Sequence, residues 1–524
     1  MRTEPLGGSP LARAALDGAL PAWYPAAPRD AAGWRRRADE VRRHAGRTDW
    51  AEALAPAMAA RGAAEARLAR VAGGRGVVVT TGQQPGLFGG PIYTWSKALS
   101  ALALADAIEA ATSVPTAPVF WAATDDADFA EAAGSWLART SGAELAELPP
   151  PATEGMPLAE LPLGDVREQL ARLADACGSA AHPDPLRLAE RAYQDGATIG
   201  GAYVALLRGI LEPLGIAVLD ASHPAVRTRA DGLLRRALRQ ADELERAVST
   251  RAAEIEAAGF APQVPPVAGL TLVFARDDDG AKARVPIARA AAVAGDADAV
   301  LGATVLLRPV VERHLLPTVA YVAGPGELAY FAQVGAVADA LAAERPQPVP
   351  RWSCTILEPH VRELLARHGL REDDLRDPHA AERALAASLL PEGVTDALRE
   401  LRESTERAAS SLGAAGDGLL PAAVPEGFAR RAGQIVDRLE RRYRAAVKRA
   451  ESAVFRDVAT VRGALQPGGV RQERALNLLP ILARHGPAVL DLMLDGARAH
   501  AAALVEGAPV AAEARRPAPA PAPL

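Results

Sequence analysis

An α/β protein, with a parallel sheet joined by helical crossovers and then a separate helical region of coiled-coil type, is predicted by three features of the sequence. Up to about residue 360, short β-branched apolar runs alternate with alanine-rich amphipathic stretches, the pattern of buried strands and crossover helices. From about residue 366 the strand-like runs stop and apolar residues recur at spacings of three and four. The chain has 524 residues, 49% hydrophobic and only 4% aromatic, so a core can form and its alanine content favours helix. At about 150 residues per domain this length calls for roughly three units.

The clearest strands are 77–80, 118–121, 216–219 and 304–307, each a nearly continuous apolar run, as strands buried on both faces require. Runs at 270–274 and 284–287, joined across Asp277-Asp278-Asp279-Gly280, read as an antiparallel hairpin inserted into the sheet domain. Farther on, Val394, Leu398, Leu401, Thr405, Ala408 and Leu412 form a heptad seam. A second helix carries Phe428, Ala432, Ile435, Leu439, Tyr443 and further apolar positions to Leu465, with a step of about 3.7 residues, nearer an 11-residue repeat than a heptad. The glycine-rich linker 413–418 is the turn between two antiparallel helices. Their apolar seams predict a homodimer formed through about 390–465. The expected domains are a core over 1–365 with inserted segments, a helical domain over 366–465, a segment over 466–507 packing back on the core, and a disordered Pro/Ala tail over 508–524. There is no internal repeat.

Lys and Arg number 59 against 64 Asp and Glu, a net charge of −5, so no basic field exists to hold nucleic acid or an anionic membrane. Cys177 and Cys354 are the two cysteines, and the nine histidines are scattered, which leaves neither a disulfide framework nor a metal site. A reducing cytoplasm fits this composition. The N-terminus leads into no signal-like apolar stretch, and nowhere do 18 apolar residues run uninterrupted, so a soluble protein is expected.

Three clusters can carry chemistry. The first strand runs into Thr80-Thr81-Gly82-Gln83-Gln84-Pro85-Gly86-Leu87-Phe88-Gly89-Gly90-Pro91 and a helix holding Tyr93 and Lys97. Such glycines let backbone approach a ligand, and the helix N-terminus offers N–H groups to an anion. The phosphate-loop and dinucleotide spacings are absent; a purely structural glycine turn is the alternative. The second strand ends in Trp121 and then Asp125, Asp126, Asp128 and Glu131, carboxylates that repel one another unless they meet an amine, a cation or protons. A helix N-cap with an acidic first turn is the other reading of this cluster. The third is Arg308, then Tyr321 and Gly324-Pro325-Gly326-Glu327, a tight turn into a helix that lines up Glu327, Tyr330 and Gln333 at spacings of three. Arg308, expected at a strand end, could hold a carboxylate bidentately or serve an internal ion pair.

Together TGQQPGLFGGPIYTWSKA (81–98), PVFWAATDDADFAE (118–131) and LLRPVVERHLLPTVAYVAGPGELAYFAQ (306–333) resemble the BshC family, cysteine-adding ligases of bacillithiol biosynthesis. Echoes at GIAVLDAS (215–222), at Pro350, Arg351 and Ser353, and at QERALNLLPILARHG (472–486) extend the resemblance over roughly 77–486. It implies a Rossmann-like core with inserted connecting segments and a dimerising coiled coil. It also implies a reaction joining the carboxyl group of cysteine to the amine of glucosaminyl-malate, with ATP as the chemically reasonable activator, although no nucleotide signature is present. One position departs: where the family commonly has histidine, this chain has Ala127. On this reading Lys97 and Arg308 meet the carboxylates, Asp126 or Asp128 meets the amine, and Gln83, Gln84 and Gly86 hold the activated carboxyl group or a phosphate. Tyr93, Trp121, Tyr321, Gly324, Gly326, Glu327, Tyr330 and Gln333 complete the expected site. A related ligase with another amine acceptor, or a non-catalytic dimeric scaffold, would keep many of the same residues.

Overall fold

A computed structural model describes residues 1–508 except 45–48, 140–141, 376, 378–379, 417–418 and 422. The Pro/Ala tail, apart from residue 508, and Asp417 and Gly418 of the linker therefore lie outside the described residues. The chain forms two compact units: Met1–Leu137 with Leu145–Ile356 and the residues from Glu473 on, and Ala138–Glu144 with Leu357–Gln472. Among the described residues no helix is long and apolar enough to cross a membrane.

The first unit is built on a five-stranded parallel sheet. The elements that form the sheet and surround its carboxyl edge include, in chain order, β1 (Val77–Gln83), α1 (Ile92–Thr112), β2 (Thr116–Ala122), α2 (Phe129–Ala133), β3 (Ala217–Asp220), α3 (Ala241–Ala257), β4 (Leu270–Arg276), β5 (Lys282–Pro286), β6 (Leu301–Ala303), α4 (Arg308–Leu315), β7 (Thr318–Ala323), α5 (Pro325–Ala340) and β8 (Pro348–Pro350). The sheet order is β8-β7-β1-β2-β3, with Val77 opposite Thr116, Val119 opposite Ala217 and Tyr321 opposite Pro348. β1 and β2 are buried almost throughout, which is why their sequences are continuous rather than alternating. α1 and α5 are likewise buried on most of their surface, so they show no polar face. α1 stops at Ser113, which adopts φ 57° just before the extended residues ahead of Pro115.

The hairpin expected at 270–287 forms as β4 and β5, turns at Gly280 with φ 84°, and takes β6 to make a separate three-stranded antiparallel sheet. The strand expected at 304–307 does not form. The amides of Leu307 and Arg308 both bond to the Thr304 carbonyl, turning the chain into α4, and Pro309 in the first turn presets helical φ. The missing parallel strand is β7, hidden in sequence between Pro317 and the Gly-Pro-Gly turn.

In the second unit, α6 (Glu392–Ala415) and α7 (Ala423–Ala450) pair antiparallel: Gly413 faces Pro425 near the turn, and Arg402 bonds Asp437 (2.8 Å) and Glu440 (2.5 Å) farther along. The long second helix breaks at Glu451, and α8 (Ser452–Leu465) follows. The pair buries Leu398, Ala409 and Val436, whereas Leu401, Leu412, Phe428, Ile435, Leu439 and Tyr443, six of the expected seam residues, are exposed. A two-helix hairpin can cover one stripe on each helix, and the sequence carries two.

Candidate active site

The loops that follow β1, β2, β7 and β8 converge at the carboxyl edge of the sheet, the usual ligand position in open α/β folds. There they border a cavity of about 680 Å³, closed on its far side by α3, the hairpin sheet and the loop at 263–267. A volume of this size suits a small-molecule site.

Lys97, buried on α1, ends on three oxygens: the Gly82 carbonyl, Gln83 Oε1 at 3.2 Å and Glu327 Oε2 at 2.7 Å. Glu327 in turn accepts from the Tyr321 hydroxyl and the Gly324 amide, both at 2.6 Å. Burial alone would raise the Glu327 carboxyl, but the Lys97 ammonium and these donors outweigh it and hold it below its ordinary value. Burial also presses Lys97 downward against the pull of Glu327. Three acceptors thus surround the Lys97 nitrogen and three donors the Glu327 carboxylate. Arg308 is the first residue of α4, not a strand end, and donates to the Tyr330 hydroxyl at 3.2 Å while its buried Nε lacks a partner.

The acidic wall is ordered by its own backbone. Asp126 Oδ1 accepts from the amides of Ala127 (2.7 Å) and Asp128 (3.0 Å), and its Oδ2 from Gln84 Nε2 (2.7 Å). Asp128 caps α2 by accepting the Glu131 amide at 3.1 Å, so both expected catalytic aspartates have folding duties. Glu131, three residues on, has its Oε1 bonded to Gln83 Nε2 at 3.3 Å, and Gln83 Nε2 also lies 3.1 Å from the Tyr93 hydroxyl. Partial burial, then the nearby charges of Asp128 and Asp126, raise the Glu131 carboxyl above its ordinary value. Gln83 and Gln84 thus tie the loop after β1 to the loop after β2.

Of the expected residues, Gln83, Gln84, Tyr93, Lys97, Asp126 and Asp128 line the cavity, as do Arg308, Gly324, Gly326, Glu327 and Tyr330. Four do not. Gly86 packs on Gly90, where an added Cβ would lie 2.8 Å from its Cα. Trp121 faces a small side cavity beyond the hairpin, and Tyr321 reaches Glu327 from beneath. Gln333 is buried behind the wall and bonds the Val264 amide (3.1 Å) and carbonyl (2.7 Å), bracing the loop at 263–267. The N-terminus of α1 is not an anion site either, since the Ile92 amide bonds the Leu476 carbonyl and Asn477 Nδ2 bonds the carbonyls of Phe88 and Gly90. The helix start at the cavity is that of α5, at Gly324–Gly326, where the Glu327 carboxylate already accepts the Gly324 amide and Pro325 offers none. Sequence reasoning placed Glu131 in the acidic cluster without a role of its own and missed Arg351, Arg474 and Lys282 as cavity residues, although the first two of these stand in segments of the family resemblance.

The sequence matches "Bacillithiol biosynthesis BshC, N-terminal Rossmann-like domain" over residues 15–291 and 292–352, and "Bacillithiol biosynthesis BshC, C-terminal coiled-coil domain" over 354–502. Curated relatives named "Putative cysteine ligase BshC" include those of Solibacter usitatus, 32% identical over 81% of this chain and 82% of its own length, and Koribacter versatilis, 32% identical over 80% and 81%. That of Symbiobacterium thermophilum is 29% identical over 90% of this chain and 93% of its own length. The parallel sheet, the helical pair and these matches agree: the chain belongs to the BshC family of bacillithiol biosynthesis.

Proposed function

We propose that the protein is a cytoplasmic ligase joining the carboxyl group of L-cysteine to the primary amine of glucosaminyl-malate, the last step of bacillithiol formation. The observation that carries this reading is one cavity lined by the carboxylates Asp126, Asp128 and Glu131 together with the cations Lys97 and Arg308. An ammonium ion is no nucleophile, so a group must take its proton as the amine attacks. Ala127 lines the cavity, so no imidazole stands there for this task, and Glu131 takes it. Amide formation from a free carboxylate also needs its oxygen turned into a leaving group, which ATP supplies. Arg308, whose buried Nε lacks a partner, is the group that would hold the phosphate. The relatives' names support the cysteine half of the reading.

Purified protein given L-cysteine, glucosaminyl-malate and ATP is expected to yield bacillithiol by mass spectrometry, and cells lacking the gene to accumulate the amine precursor. An unchanged thiol pool and precursor in those cells would overturn the reading.

The helical pair is proposed as the dimer contact, since Phe428, Ile435, Leu439 and Tyr443 leave an apolar stripe of α7 exposed, Ile435 by 65%. Replacing Ile435 and Leu439 with Glu should give a folded monomer by sedimentation. A dimer that persists places the contact elsewhere.

A further inference from the structure

The geometry points to Arg474 as the residue that docks a non-reacting carboxylate of the amine-bearing acceptor, an inference that rests on the ligase reading above. Most cations lining the cavity are committed: Lys97 to Glu327, Lys282 to Asp125, Arg351 to Glu473, and Arg284 to the Thr271 carbonyl. Arg308 is held by the Tyr330 hydroxyl. Among the described residues lining the cavity, Arg474 is the cation with neither a hydrogen bond nor an ion pair, and it is exposed.

Its backbone is nevertheless fixed on both sides. Glu473 is buried and takes two bonds from Arg351 (2.8 and 2.9 Å) and one from Ser353 Oγ (2.9 Å). The Leu476 carbonyl accepts the Ile92 amide at 3.0 Å, and buried Asn477 donates to Phe88, Gly90 and Ser135. A guanidinium held out from so rigid a mount and left unpaired is preorganised for an anion from solution.

The location selects which anion. Glu131, Tyr93 and Arg474 line the same cavity, and the Tyr93 hydroxyl feels the charges of Glu131, Arg474, Glu327 and Arg351, so the proton acceptor and the free cation share one space. A ligand bearing an amine and a carboxylate spans that arrangement. Both substrates of the proposed reaction carry the two groups, but their carboxylates have different fates. The carboxylate of cysteine must be activated, and a fixed ion pair to it would stabilise the ground state and oppose reaction. The malyl carboxylates of the acceptor persist unchanged into product, so an arginine can hold them throughout.

The test is calorimetric binding of L-malate and of glucosaminyl-malate, with steady-state kinetics alongside. Arg474→Ala should weaken binding of both probes by about 10- to 100-fold, the scale of a charged hydrogen-bonded contact. It should raise KM for the acceptor by a similar factor with KM for cysteine unchanged, and R474K should recover part of the loss. An unchanged melting temperature shows that the exposed side chain was not a fold element. Wild-type protein that binds neither probe, or a variant that binds them equally well, overturns the role of Arg474. A KM effect confined to cysteine or ATP does so too. Failure of the ligase reading would show separately, as wild-type protein that binds glucosaminyl-malate yet makes no thiol product.

Discussion

Glu131→Gln is expected to lower kcat by about 100-fold or more, the usual scale for losing a general base, with little change in melting temperature. The side chain makes one long contact to Gln83 and reaches the cavity, so its amide replacement disturbs shape little. The sign of the pH dependence follows from its environment. A base works when deprotonated, so turnover falls as pH falls through its pKa. Because burial and the charges of Asp128 and Asp126 raise that pKa, the acid limb should lie above the range of an ordinary exposed carboxylate. Asp128→Asn removes one of those charges but keeps a competent cap for α2, so it should shift the acid limb to lower pH and leave most of kcat. These two variants separate a base from a cap. Normal turnover in E131Q, or a collapse of kcat in D128N with the fold intact, would return the proton to Asp128.

Asp128, which caps α2, and Glu131, which lines the cavity three residues on, show where sequence stops. A cluster of carboxylates after a buried strand announces a polar site, but which member is spent on the backbone depends on where the helix begins, and an N-cap and its third following residue look alike until the turn is built. Strands β1, β2 and β3 and the hairpin were legible because continuous apolar runs have few other uses. The run at 304–307 failed since four apolar residues beside Pro309 serve equally as a turn into a helix. The glycines at 86, 89 and 90 were legible as special but not in purpose. They let the loop fold tightly under Asn477, almost 400 residues away, rather than approach a ligand. Tyr321 and Gln333 fell short of the cavity through geometry alone, one reaching Glu327 from below the floor and the other bracing the wall from behind. The second apolar stripe of α7 was read as part of one seam because periodicity reports that a face is apolar and not what covers it.

Arg351→Met is expected to destabilise the first unit by about 3–5 kcal/mol, since it removes the two charged hydrogen bonds that Arg351 gives the buried Glu473 carboxylate. Both side chains are 2% exposed, and Glu473 has lost its hydration to an environment that offers it Arg351 and Ser353. Glu473→Gln should be costly for the same reason, stranding the guanidinium beside Ser96 and the Trp352 carbonyl. The double variant, in which neither charge remains, should be less destabilised than the sum of the singles, because the main penalty is the uncompensated ion. Thermal or denaturant unfolding of the four proteins gives the coupling directly. Additive losses would mean that the pair is held by surrounding packing and that its charges matter little. The kinetic consequence is local: Glu473 anchors the residue next to Arg474, so R351M should raise KM for the acceptor even where the protein is fully folded. The hydrogen-bond partners of Lys97 do not include Arg351 or Glu473, so a loss carried equally by every substrate would point instead to general loosening of the cavity.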